Sequence, residues 1–398
     1  MFKTDFWSGK GAVIVCAAAA ALLLLSIPPH WFVLACQKPR GLERLILFGQ
    51  SHEQTSLPEI RKLAPPRNSP AGYDAQYYVQ MAFDPTLRHP GLTRALDSPS
   101  YRARRIFMPA LVWLATWNQD PVRKIQVFAL INPLCWLALL VLVARITRLQ
   151  SIRDLSCLVA CALGSGSLFS LTRSLTDLPS AVLGLAAVTF PGYAGNTLFS
   201  LSLLTRETAC CSLLAVWKGR FHNPASWPSS LLRLTLVLLP LALWLVYIHF
   251  LYRAHGSLVG SGNFALPLTA VWPALSEFWA SFAKHPSLYG LLTLSIPFCL
   301  FVQSLYLALN LKKHQDDPFW RMGIGFALLL LVLGPAVWAE ARTVCRVVLP
   351  LTLAFNLLIR HEKPPSFSLW FLAGNIGLFS ELVGMNQIIG GAIPGITP

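Results

Sequence analysis

Apolar runs free of Lys, Arg, Asp and Glu recur along the chain, at 11–37, 125–144, 155–172, 178–205, 234–252, 286–311, 322–339 and 364–380. A helix needs roughly 20 apolar residues to cross about 30 Å of hydrocarbon. Several runs reach that length outright and the others come close. The pattern predicts an all-α, polytopic helical membrane protein, one integral membrane domain over 1–398 with about 10–11 transmembrane helices. Two longer polar segments interrupt it, 38–122 and 253–285. Within the first, "IFMPALVWLATW" at 106–117 is apolar but too short for a span. It predicts a helix lying at the membrane surface, with Arg102, Arg104 and Arg105 at headgroup level and Trp113 and Trp117 as anchors.

Cytoplasmic loops of membrane proteins are rich in Lys and Arg. Lys3 and Lys10 flank the first run, which places the N-terminus inside. The other short basic loops carry Arg145, Arg148 and Arg153; Lys218, Arg220 and Arg233; Lys312, Lys313 and Arg321; and Arg360 with Lys363. With all of these inside, 38–122, 253–285 and 339–346 face outward, and the expected location is the cytoplasmic (inner) membrane. The region 178–217 stays open. Two regular crossings put Asp177 and Lys218 on one side; one crossing, or three short broken ones, put Asp177 outside. The first run also resembles a signal peptide, with Val33-Leu34-Ala35-Cys36 as a lipoprotein-like cleavage site. Because the rest of the chain spans anyway, an uncleaved first helix is the simpler expectation.

Composition agrees with a membrane protein. Of 398 residues 55% are hydrophobic and 12% charged, about half the usual charged share. The net charge of +15 reads as loops facing anionic lipid rather than as a nucleic-acid surface. Nine cysteines include no CxxC and read as small packing residues. There is no HExxH, no zinc-spaced Cys/His cluster, no Walker A loop and no dinucleotide fingerprint. ATP-driven transport by this chain alone is not expected.

Ionisable residues in or beside spans are costly and point to function. The stretch "GYDAQYYVQMAFDP", 72–85, sets Asp74 and Asp84 among aromatics. Asp74 is either the cap of a helix beginning at Ala75 or a base for an incoming hydroxyl; Asp84 is a second acid or a turn residue. "YRARRIFMP", 101–109, brings three arginines that suit a phosphate. In "LTRSLTDLP", 171–179, Arg173 and Asp177 have the spacing of a helical ion pair. Arg206-Glu207 in "LLTRETACC" and Glu340, Arg342 and Arg346 in "WAEARTVCRVVLP" complete the set.

These motifs, in this order over 70–210 and again near 340–350, resemble the glycosyltransferase C (GT-C) superfamily, in particular a bacterial branch of cell-surface glycopolymer formation proteins. The resemblance implies a GT-C-like multi-helix fold with a surface helix in the first extracytoplasmic loop. It implies a polyprenyl-phosphate-linked sugar donor at the outer leaflet and a glycan or lipid acceptor. Asp74 matches the position of the first-loop catalytic acid, and "RSLTDLP" resembles a second-loop segment, which favours Asp177 facing out. Superfamily members often carry two adjacent acids; here Asp74 stands alone with Tyr73 before it, a departure from that pattern, and Asp84 and Asp177 are the candidates for a second acid. In this reading Asp74 is the general base, and Arg104, Arg105, Arg173, Arg206, Arg342 and Arg346 hold the phosphate. Tyr73, Gln76, Tyr77, Tyr101, Glu207 and Glu340 support them. A divalent ion, Mg or Mn, on Asp74 and Asp177 is the one cofactor to be tested. The competing expectations are a flippase or transporter of a lipid-linked saccharide, and a non-catalytic membrane subunit of a polysaccharide assembly machine.

Overall fold

The computed structural model describes residues 28, 32–33, 41–65, 67, 69–117, 119–190, 192–217, 224–253 and 260–390. Most of the first apolar run, with Lys3, Lys10, Leu34 to Cys36, Lys218 and Arg220, lies outside the described residues. The described chain is helical throughout, with two isolated β-bridges, Gly49 to Ser69 and Phe264 to Leu333. Five helices are long and apolar enough to cross a bilayer: Pro121–Thr147, Ile152–Thr172, Trp227–Leu251, Leu288–Leu309 and Ser366–Met385. The pair Ala341–Val347 and Leu349–Ile359, bent by 69°, counts as a sixth if it is one span. The chain is a helical membrane protein.

Local chemistry starts these helices where the apolar runs begin. Asp120 accepts from Val122 N, with Pro121 in the first turn, and Asp317 accepts from Phe319 N, with Pro318 next. In both, the carboxylate satisfies a backbone N–H that the helix cannot, and proline sits where its missing donor costs nothing. Ser151 caps Ile152–Leu163 through Asp154 N.

The region left open by the sequence is made of short legs. Asp177–Thr189 and Tyr193–Thr205, of 13 residues each, are followed by a 3-10 helix, Glu207–Val216. Their ends identify their direction. Arg145 stacks over Phe190, and Arg233 binds Asn196 Oδ1 and Val216 O. Asp177, Arg206 and Glu207 gather at the opposite end. The chain therefore runs down, up and down again, and Asp177 lies at the end opposite Trp217. Thirteen helical residues rise about 20 Å, against about 30 Å of hydrocarbon. Among the described residues five or six helices reach full length, fewer than the expected 10–11 spans, and three further apolar helices, Asp177–Thr189, Glu207–Val216 and Pro318–Val332, are shorter.

The first loop folds onto the bundle. Leu45, Phe48, Leu57, Tyr78, Val79, Met81 and Met108 share a core with Phe128, Phe169 and Ile248 of the long helices. Gly72 has φ +72, and a Cβ there would strike the Gly49 backbone, so glycine is required where these two strands of the loop touch. The helix Phe107–Ala115 buries Met108 and Val112 and exposes Leu111 and Leu114. Gly166 lets the helix Ala341–Val347 approach; a Cβ there would meet Cys345 O at 2.5 Å. That close contact fixes the turn carrying Arg342 and Arg346 against the bundle.

Candidate functional site

At one end of the bundle a cavity of about 510 Å³ opens between the first loop, the 3-10 helix Glu207–Val216, the segment 260–264 and the helix Ala341–Val347. Its lining combines Arg102, Arg104, Arg105, Arg206 and Arg346, with Asp74 and Glu207, and the apolar Phe264, Leu329, Leu333, Ala336, Val337 and Val347.

Asp74 starts the helix Ala75–Met81, but its backbone is helical (φ −50, ψ −36) and its side chain caps nothing. A capping residue needs an extended backbone to turn its oxygen back onto the helix. The capping alternative therefore fails, and the carboxylate is free for other partners. Its Oδ1 accepts from Arg102 Nη1 at 2.9 Å and its Oδ2 from Arg346 Nη2 at 3.1 Å. Burial alone would raise the Asp74 carboxyl; Arg102, Arg346 and Arg105 outweigh it and hold it well below the usual carboxylate range.

The two arginines continue the chain of charges. Arg102 grips Asp97 with two bonds, Nε to Oδ1 at 2.8 Å and Nη2 to Oδ2 at 2.7 Å. Arg346 Nη1 donates to Asp177 Oδ2 at 3.0 Å. Asp177 Oδ1 lies 2.9 Å from Arg206 Nη1, an ion pair without hydrogen-bond alignment. Carboxylate and guanidinium thus alternate from Asp97 through Arg102, Asp74, Arg346 and Asp177 to Arg206. Arg105 stands beside this row, fork to fork with Glu207 at 3.0 Å and bonded to the hydroxyls of Tyr78 and Tyr101. Asn263 donates to Tyr101 Oη at 3.2 Å and ties the segment 260–264 to the same wall. Arg104 is exposed, lines the cavity and makes no ion pair among the described residues.

Several sequence expectations are redistributed. Arg173 and Asp177 do not pair. The helix Ser165–Thr172 ends at Arg173, and Ser174 takes φ 50, so the two never share a helix face. Arg206 and Glu207 do not pair either: Arg206 is extended (φ −156, ψ 120), which turns neighbouring side chains apart. Asp84 accepts from Thr86 N at 3.0 Å and His89 N at 2.6 Å, so it serves a turn and stays outside the cavity.

Gln76 holds the loop, accepting from Gly49 N at 2.9 Å and donating to Ala71 O. Tyr77 bonds His52, and its ring lies under Arg102. Tyr73 bonds Thr343 at 3.1 Å. Arg173 and Arg342 converge on Glu381, at 3.1 and 3.2 Å, with Glu340 on Arg342. This second cluster packs around Phe169 and is not part of the cavity wall.

Sequence reading missed Asp97, Asn263 and Glu381. Asp97 could have been found as the acid five residues before Arg102; the other two carry no local signal.

The donor set does not suit a divalent ion. All four oxygens of Asp74 and Asp177 face guanidinium nitrogens at 2.9–3.1 Å, and a cation there would sit among like charges. No group of three His, Cys, Asp or Glu is suitably placed among the described residues. The chain matches no family model, no curated protein and no solved structure.

Proposed function

We propose that the protein is a GT-C-type glycosyltransferase that moves a sugar from a polyprenyl-phosphate donor to a hydroxyl of a glycan or lipid acceptor. The observation that carries the reading is the mixed lining of the cavity: five guanidiniums together with six apolar side chains. A lipid phosphate calls for both, with an anionic head on an apolar tail, and guanidinium forks match phosphate oxygens. The membrane helices supply a setting in which such a lipid is soluble. The reading also places the cavity on the outer face of the inner membrane, with the N-terminus inside, following the distribution of basic loops.

The reaction uses residues already at the wall. Asp74 takes the proton of the acceptor hydroxyl. The acceptor oxygen attacks the anomeric carbon, and the bond from that carbon to the phosphate oxygen breaks. The electron pair leaves with polyprenyl phosphate, whose new charge falls among Arg102, Arg104, Arg105, Arg206 and Arg346. Arginine supplies this charge with no metal in the step.

A second reading has its own observation. Both Asp74 oxygens are engaged by arginines, which makes Asp74 a weak base until one lets go and suits a flippase that only binds the phosphate. One assay separates the two. Purified protein in lipid, supplied with polyprenyl-phosphate sugars and acceptor, is expected to release polyprenyl phosphate, and Asp74→Asn is expected to release none. Donor movement across the bilayer without release would favour the flippase.

A further inference from the structure

Arg102 and Arg346 each hold two carboxylates, one inside the cavity and one behind it. The inner one is shared: Asp74 Oδ1 on Arg102 and Oδ2 on Arg346. The rear ones are separate, Asp97 on Arg102 and Asp177 on Arg346, and neither lines the cavity. Asp74 thus fills, with two oxygens, the space between two guanidiniums that a phosphate would fill with two of its own. The rear carboxylates keep both arginines in place when their inner bonds are exchanged. Arg346 Nε is buried and has no partner among the described residues, so that side chain still has a donor to offer.

We infer that Asp74 is a displaceable internal anion: a ligand phosphate takes Arg102 and Arg346 away from it, while Asp97 and Asp177 hold the two arginines where they are. The inference rests on the reading of the cavity as a phosphate-lipid site. Its consequence is an order of events. With the cavity empty, Asp74 is neutralised by its arginines and a poor proton acceptor. Donor binding withdraws that neutralisation, and the base becomes competent only when there is a donor to attack.

Competition of this kind has a sign that simple charge does not. Asp74→Asn removes the competitor and is expected to tighten phosphate binding by roughly ten- to a hundredfold. Asp97→Asn also removes one negative charge near the cavity, yet it leaves Arg102 with Asp74 as its only carboxylate and is expected to weaken binding severalfold. The experiment measures binding of farnesyl phosphate, farnesol and inorganic phosphate to full-length wild type, Asp74→Asn and Asp97→Asn in lipid nanodiscs, each first shown folded by thermal melting.

Opposite signs for the two variants with farnesyl phosphate support the inference. The same signs with inorganic phosphate assign the competition to the headgroup alone, and signs confined to farnesyl phosphate assign it to a lipid-borne phosphate. Changes in the same direction, or no change, overturn the displacement while leaving a phosphate-lipid site in place. Binding of farnesyl phosphate no tighter than farnesol in every variant overturns that site as well. If Asp74→Asn fails to fold, the sign of Asp97→Asn still decides; if Asp97→Asn fails to fold, Asp177→Asn, which removes the other rear carboxylate, takes its place with the same expected weakening.

Discussion

The two ends of the bundle use arginine in opposite ways. At the cavity end the guanidiniums bind side-chain carboxylates: Arg102 to Asp97 and Asp74, Arg105 to Glu207, Arg346 to Asp74 and Asp177. At the other end they bind backbone carbonyls where helices stop, with exposed or more distant carboxylates beside them, Asp316 at 3.0 Å from Arg321 and Asp154 at 3.8 Å from Arg360. Arg360 Nη1 donates to Ile146 O at 3.1 Å, Arg153 Nη1 to Glu362 O at 2.5 Å, and Arg321 to Gln315 O at 2.7 Å and Trp217 O at 3.0 Å. A helix end leaves carbonyls without partners and carries partial negative charge, and arginine answers both. A carbonyl cannot be traded for a ligand without opening the fold. A carboxylate at a cavity wall can. Basic residues therefore cap helices at one end, and at the other they line the cavity for which we propose chemistry.

The sharpest way to test this contrast is to remove the base. Asp74→Asn is expected to lower transfer by about 10²- to 10⁴-fold, the usual contribution of a general base, with the protein still folded; release of polyprenyl phosphate measures it. Activity close to wild type would remove Asp74 from the chemistry. Next is Arg346→Ala, which strips a partner from Asp74 and Asp177 together. Breaking a buried ion pair costs about 3–5 kcal/mol, so the melting temperature should fall along with donor affinity.

At the opposite end, Arg321→Ala should lower stability by about 1–3 kcal/mol through unpaired carbonyls. The apparent donor KM should not move, and a raised KM would show that the two ends are not separate in function. Arg342→Ala belongs with this group despite its motif, because Arg342 turns to Glu340 and Glu381. Its donor KM is expected to stay at the wild-type value in the same transfer assay.

The smallest effect concerns pH. The folded Asp74 carboxyl is held below its unfolded value. Its ion pairs are therefore fully stabilising above the ordinary carboxylate range, about pH 4, and are lost as pH falls toward the lowered folded value. The difference in melting temperature between wild type and Asp74→Asn should stay flat from about pH 8 to about pH 5 and change only in stronger acid. A change between pH 8 and 6 would mean the carboxyl is not held down.

How much of this was legible in the sequence depends on range. Apolar runs and helix starts are local, and the helical membrane protein followed from them. The isolation of Asp74 and the arginines of 101–109 within one loop was also local. Pairings were not. Spacing suggested Arg173 with Asp177, but one left-handed residue, Ser174, breaks the helix between them. Arg206 and Glu207 are adjacent, but an extended backbone turns their side chains apart. The contacts of Asp74 with Arg346 and of Arg105 with Glu207 join segments far apart in sequence, and no periodicity encodes them. Gln76 looked like a site residue because it sits beside Asp74; the helix turns its amide toward Gly49 instead.

The sharing of Arg346 between Asp74 and Asp177 also sets a timetable for biogenesis. A chain emerging from the ribosome can close the local half of the site early, since Asp74, Asp97 and Arg102 lie within one loop. Asp177 follows, and its carboxylate waits beside Arg206 until Arg346 is synthesised. The guanidinium that joins the two halves arrives 169 residues after Asp177. A nascent or truncated chain ending before it holds the parts of the site without the link between them.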